Sequence, residues 1–177
     1  MPNSASALTS TQYTLIHTST PGGISGDFSS VSLGGASSSV DYVLLYGGKS
    51  ASGQDYNVGF ELTWLADEQR GNGAFTLAGV NDRFNVDISL GDRSGVFASD
   101  WDGKTLTKAG KGTLLLSRVN TYSGPTLIQQ GTLETGVENA FGGALEGTDV
   151  FVGEGGTLNL NGFSQKIGNL TEADGWL

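Results

Sequence analysis

"KAGKGTLLLSRVNTYSGPTLIQQGTLE", Lys108 to Glu134, holds the tripeptide Gly-Thr-Leu twice, and a third copy follows at Gly156-Thr157-Leu158. The copies start at 112, 131 and 156, so the steps are 19 and 25 residues. Periods near twenty point to a solenoid, in which each repeat is one coil resting on the last. In such a coil, short strands pair with equivalent strands one layer above and below, at about 4.8 Å. The corners bend sharply and favour φ > 0, where glycine has no steric cost. Threonine suits the extended backbone that follows. Leucine then fills the interior. Gly-Thr-Leu thus reads as corner, strand start, core.

The same reading extends downstream. Leu158-Asn159-Leu160-Asn161 alternates as leucines in and asparagines out, with Gly162 to turn the chain. Stacked Asn and Thr are expected to form hydrogen-bonded ladders between layers. From about Trp101 the apolar pieces are short: Leu114–Leu116, Leu127–Ile128, Val150–Val152, Leu158 with Leu160, and Ile167 with Leu170. Residues 101–177 are therefore taken as repeat coils.

Residues 1–100 are taken as upstream β-rich coils of the same solenoid, with longer strand signals and hairpin-like insertions. Tyr56, Val58, Phe60, Leu62 and Trp64 alternate with polar or small residues, as do Phe84, Val86, Ile88 and Leu90. Val40, Tyr42, Leu44 and Tyr46 form a third run, and the loop Gly47 to Asp55 separates it from the Tyr56 strand, so the two runs are expected to pair antiparallel. "YTLIHT" from Tyr13 is a fourth strand. Helix signals are weak. "LADEQRG" (Leu65 to Gly71) and "VENAFGG" (Val137 to Gly143) are each long enough for one or two turns.

Composition narrows the classes. Glycine supplies 29 of 177 residues, against an average usage of about 7%. No strict Gly-X-Y period makes this collagen, and recurrent Leu, Val, Phe and Tyr exclude a disordered tail. A net charge of −9 is repelled by nucleic-acid phosphates and anionic membrane surfaces, so no nucleic-acid partner is expected. Apolar runs fall far short of a membrane-spanning helix. "MPNSASALTS" lacks a positive n-region and an apolar h-region, so the start reads as an internal cut. Cysteine is absent, which removes disulfides, thiol catalysis and thiolate metal sites.

Candidate chemistry is sparse. His17 is the single histidine, and no Gly-x-Ser-x-Gly elbow accompanies it. Asp100 and Asp102 flank Trp101, and Glu134, Glu138, Glu146 and Glu154 fall in corners or on outward positions. Paired carboxylates suit glycoside hydrolysis; a solvated acidic surface is the simpler reading. "GGALEGTDVFVG" (Gly142 to Gly153) departs from the calcium nonapeptide spacing and occurs once. Trp64, Trp101 and Trp176 are candidates to stack on sugars, although Trp64 lies on a core pattern. No catalytic residue, cofactor or metal ligand is assigned, and the chain is read as not an enzyme.

"LTKAGKGTLLLSRVNTYSGPTLIQQGTLE", Leu106 to Glu134, resembles the passenger-associated transport repeat of bacterial autotransporters, the type V secreted proteins. That motif runs Leu-Thr-Lys-x-Gly-x-Gly-Thr-Leu-x-Leu-Ser-x-x-Asn-Thr-Tyr-x-Gly-x-Thr, then a short strand and Gly-Thr-Leu. Here it is met by Leu106, Thr107, Lys108, Gly110, Gly112, Thr113, Leu114, Leu116, Asn120, Thr121, Tyr122, Gly124, Thr126, Gly131, Thr132 and Leu133. Arg118-Val119 and Pro125 depart from it without disturbing the glycine frame.

The resemblance implies an all-β, right-handed parallel β-helix exported as an autotransporter passenger. It implies a surface or secreted location and, as partner, a C-terminal translocator barrel. No run of long membrane strands stands in this chain, so it reads as a fragment. Host surface molecules or copies of the chain are further partners, and adhesion, self-association or autochaperone-like assistance are the roles implied. The alternatives are a carbohydrate-active β-helix enzyme and a β-sandwich ligand-binding domain. At ~4.8 Å per coil, roughly eight coils would give about 40 Å of rod.

Overall fold

The computed structural model describes residues 3–28, 40–143 and 147–173. Glu146 and Trp176, and part of the nonapeptide-like stretch, lie outside the described residues. Among the described residues the regular structure is mostly strand, with almost no helix. Its first element is α1, Ala5–Ser10, followed by β1, Gln12–His17, β2, Val43–Lys49, and β3, Asp55–Leu62. A single 3-10 turn, Thr63–Leu65, leads on. Then come β4 Ala74–Thr76, β5 Arg83–Val86, β6 Leu106–Ala109, β7 Thr113–Leu116, β8 Thr126–Ile128, β9 Gly131–Thr135, β10 Val150–Gly153, β11 Gly156–Asn159 and β12 Leu170–Ala173.

Strands β1, β3 and β2 form an antiparallel sheet in that order, including the expected pairing of the Val43 and Asp55 strands. From β4 onward the strands fall alternately into two parallel sheets. One has the order β12-β10-β8-β6-β4, the other β11-β9-β7-β5. Each strand of the first sheet and its successor in the second will be called a tier. The expectation of about eight layers is corrected: among the described residues the larger sheet has five strands. Among the described residues, the regular elements up to Leu62 are α1 and the three strands of the antiparallel sheet. The parallel sheets begin within residues 1–100, where β4 and β5 pair with β6 and β7.

Tier interiors follow the period-2 rule. Leu114, Leu116 and Leu133 are fully buried, while Leu115 between them is only half-buried. Phe75, Phe84, Leu106 and Val150 complete the same core. Burying a leucine or phenylalanine of this kind contributes about 1.5–3 kcal/mol.

The first tier does not present a bare edge. The Asn85 N–H donates to the Asn3 carbonyl at 2.9 Å, and the Thr76 N–H donates to Asp41 Oδ1 at 2.8 Å. Tyr42 packs on Phe75 and Phe84, with ring centroids at 5.7 and 4.7 Å. α1 seats Ala5 and Leu8 in the core, its start held by the Ala7 N–H donating to Ser4 Oγ at 3.3 Å. Its six residues are too few to show a 3.6-residue period, which is why the opening segment reads as featureless in sequence.

Other differences have local causes. The Phe84 run stops as a strand at Val86, and buried Leu90 lies outside any strand, its N–H taken by the Asn120 side chain at 2.8 Å. The Tyr56 run ends at Leu62, and Trp64 is buried from the 3-10 turn. The "LADEQRG" segment makes that turn and a bend held by the Gly71 N–H on the Asp67 carbonyl. "VENAFGG" forms no helix, because the Ala140 N–H donates across to Gln165 Oε1 at 2.7 Å. At the far end Leu160 and Leu170 are 40% and 59% exposed, so the inward reading of Leu160 does not hold there. No helix of the described residues is long and apolar enough to cross a membrane.

Candidate functional site

The repeat motif occupies the second and third tiers. Its Gly-Thr-Leu copies stand in register: Thr113 opposite Thr132, Thr132 opposite Thr157, Leu114 opposite Leu133, and Leu133 opposite Leu158. Phe84 extends the leucine column by one place, opposite Leu114. The repeated phrase therefore occupies one position in three successive tiers.

Glycine serves the phrase in two ways, not the single way expected. Gly131 has φ +72° and is the left-handed corner foreseen from sequence. Gly112 is not left-handed; a Cβ there would lie 2.5 Å from the Asp82 carbonyl oxygen. What forbids a side chain at Gly112 is the closeness of the preceding tier.

Lys108 is the residue that the sequence placed in the motif without a role. Alternation with Leu106 puts it inward, and it is fully buried in a column formed by Phe75, Lys108, Ile128 and Val152. Its ammonium donates to the carbonyls of Ala109 at 2.8 Å, Gly110 at 2.6 Å and Gln130 at 2.9 Å. All three donors are thus satisfied by two consecutive corners. Burial pulls its pKa down to about 8. The signal available in the sequence was the period-2 phase, which makes Lys108 an inward charge.

Asn120 plays a comparable part on the other side. It is fully buried; Oδ1 accepts from the Leu90 N–H, and Nδ2 donates to the Ala140 carbonyl at 2.6 Å and to the Arg118 carbonyl at 3.2 Å. One amide thereby links the segments before, within and after its own tier. This is the cross-tier role expected of asparagine, made at a corner and not as a strand ladder. Tyr122 is fully buried, its hydroxyl 2.8 Å from Thr126 Oγ1, and burial pushes its pKa up to about 12. It packs on Trp64 at 5.5 Å, so its ring is core at a corner. Thr121 and Thr107 hold backbone positions, their N–H groups donating to the carbonyls of Leu90 at 2.8 Å and Gly73 at 3.0 Å. Gly124 is buried against Lys104.

The remaining candidates are dispersed. His17 lies on the exposed strand β1, Nδ1 2.7 Å from Asp55 Oδ1, beyond a register shift between Thr14 and Ile16. Asp102 locks a turn: Oδ1 accepts from the N–H groups of Lys104 and Thr105, and Oδ2 from the Thr105 hydroxyl. Partial burial opposes its ionisation, but the Thr105 and Lys104 hydrogen bonds outweigh that and hold its carboxyl below the usual range. Glu134 pairs with Arg83 at 2.9 Å, and Glu138 and Glu154 are exposed. Among the described residues no three acidic or histidine side chains gather as a metal site. Trp101 is half-buried, donates Nε1–H to the Thr105 carbonyl, and packs between Trp64 and Phe97.

Residues 106–134 match the family model of the passenger-associated-transport-repeat, a repeat of autotransporter passengers. The match begins at Leu106 and ends at Glu134, so it takes in Lys108, Asn120, Tyr122 and two of the three stacked Gly-Thr-Leu copies. No curated protein sequence matches the chain significantly.

Proposed function

We propose that the alternating tiers are coils of a right-handed parallel β-helix, and that the chain is part of the exported passenger of a bacterial autotransporter. Residues 1–100 supply the upstream portion with its antiparallel insertion, and residues 101–177 the repeat coils. The observation carrying this reading is the register of Leu114, Leu133 and Leu158 within and beyond the matched repeat.

The proposed work is mechanical. Each tier offers a paired edge and an apolar column that the following segment can join, so folding propagates along the stack. Outside the cell such stepwise folding opposes back-sliding through the translocator pore. The chain serves at the cell surface as a stem supporting adhesion or self-association, with autochaperone-like help to neighbouring segments. It performs no catalysis, and its partners are the translocator barrel, host surface molecules or copies of itself. No nucleic acid is bound.

The test is secretion. The chain is placed upstream of an autotransporter barrel and surface display is followed by protease shaving. Leu114→Ala should reduce the protease-resistant displayed fraction several-fold, while the surface change Lys111→Ser leaves it unchanged. Equal display of resistant protein by both variants would overturn the stacked-coil stem.

A further inference from the structure

On the outer face beside the first two tiers lies an open groove of about 350 Å³, lined by Asn72, Ser99, Asp100, Trp101, Asp102, Thr105 and Thr107 among others. A volume of this order is in the range of small-molecule sites. Its polar groups divide into two sets. Asp102 and the Thr105 hydroxyl hold each other, the Ser99 hydroxyl is spent on the Gly71 carbonyl, and Asn72 Oδ1 accepts from the Ala74 N–H. Those contacts make the wall rigid. Among the described residues, the Asn72 amide donors, the Thr107 hydroxyl and the Asp100 carboxylate make no such internal bond, and they line the same space.

The unspent groups have a definite chemistry. An amide donor, a hydroxyl and a lone carboxylate acceptor around a half-buried indole match adjacent hydroxyls on an apolar ring face. No cationic side chain lines the groove, and the chain carries −9, so an anionic ligand is disfavoured. The wall is preorganised. Trp101 is fixed by its Nε1 bond to Thr105 and by packing on Trp64 and Phe97 at 4.8 Å each. Asp100 is held at φ +58°, in the left-handed region that favours glycine. Nothing in the core uses its carboxylate.

We infer that this groove binds a neutral saccharide, with Asp100 and Asn72 taking its hydroxyls against the Trp101 edge. Thr107 faces Leu127 of the next tier in register, so a second sugar unit would continue along the sheet face.

The test uses the full chain and a defined probe set: neutral oligosaccharides of hexose and N-acetylhexosamine, with a sulfated glycosaminoglycan hexasaccharide for comparison. Binding is read by saturation-transfer NMR and tryptophan fluorescence. At least one neutral probe should bind, and Asp100→Gly should weaken it about tenfold or more, the loss of one charge-assisted hydrogen bond. That variant relieves the left-handed strain, so its folding is preserved and a melting curve confirms it. Asn72→Asp, which keeps the acceptor but removes the amide donors, should weaken binding as well. No neutral probe bound at millimolar concentration, tighter binding of the sulfated probe, or binding indifferent to Asp100→Gly would each overturn the assignment. None of these outcomes bears on the stacked stem, whose test is secretion.

Discussion

The Lys108 ammonium donates a hydrogen bond to the Gln130 carbonyl at 2.9 Å, joining one corner of the stack to the next. A charged group has been placed in an apolar column between Phe75 and Ile128, with backbone carbonyls in place of a counter-ion. Such an arrangement is strongly interdependent. Removing the ammonium leaves the carbonyls of Gly110 and Gln130 short of a donor, at about 1–3 kcal/mol for each that water cannot reach, while the Ala109 carbonyl keeps the Leu77 N–H at 3.0 Å. Lys108→Ala should therefore lower the melting temperature by several degrees, as read by circular dichroism. An unchanged melting point would mean the corners hold without it.

The same lysine sets a pH signature. Its folded pKa lies near 8, below the ordinary 10.5, because burial penalises the charge. Between those values the unfolded chain binds more protons than the folded one, so this group makes stability rise with pH across that window. Below about pH 8 both states are protonated and the burial penalty is fully present. Tyr122 acts oppositely: its folded pKa is raised from 10.0 to about 12, so its contribution is present below pH 10 and lost as pH climbs toward 12. Denaturant titrations from pH 7 to 11 should show a slope that Lys108→Met flattens between 8 and 10.5. Superimposable profiles for the two proteins would contradict the buried cation.

Leucine truncations should be graded along the column. Leu114 and Leu133 are fully buried, and their change to alanine should cost about 2–5 kcal/mol. Leu158 is only half-buried, on the last strand of its sheet among the described residues, and Leu158→Ala should cost less than either. Urea unfolding of the three variants reads the order directly. A Leu158 variant as damaged as the other two would contradict the graded column.

Gly131 and Gly112 should both resist alanine, for different reasons. At Gly131 a Cβ meets φ +72° and would stand 2.3 Å from the Gly110 carbonyl oxygen. At Gly112 the backbone is permissive, and the obstacles are the carbonyl oxygens of Asp82 and Gly79, at 2.5 and 2.8 Å, and the Leu77 Cβ at 2.8 Å. Both variants should lose several kcal/mol, about what overpacking and a strained backbone each cost. Urea unfolding of the two variants checks this, and a Gly112→Ala protein as stable as the parent would contradict the close approach of the preceding tier.

Much of this was legible in residues 106–134, where period-2 alternation and spaced glycines specify strands and corners together. The antiparallel pairing of β2 and β3 was readable because Tyr56, Val58, Phe60 and Leu62 alternate cleanly. What escaped was set by neighbours distant in sequence. Leu90 continues an alternating run, yet its N–H goes to Asn120, 30 residues on, and the strand ends early. α1 depends on Ala5 and Leu8 finding the core, and no local period announces so short a helix. Among the candidate residues, Asp102 looked chemical from its place beside Trp101, but its bonds to Lys104 and Thr105 make it a turn lock. The burial of Lys108 was implicit in its phase with Leu106, while its three acceptors come from corners whose approach only the folded chain defines.

The in-register stack is tested most directly by cysteine pairs in a chain that has no cysteine of its own. Thr113 and Thr132 are opposed on neighbouring strands, as are Thr132 and Thr157, whereas Thr113 and Thr157 lie two strand spacings apart, about 9.6 Å. A disulfide needs Cα atoms within about 7 Å. Mild oxidation should cross-link Thr113→Cys with Thr132→Cys, and Thr132→Cys with Thr157→Cys, but not Thr113→Cys with Thr157→Cys. Failure of both neighbouring pairs, or efficient linkage of the distant one, would contradict the stack.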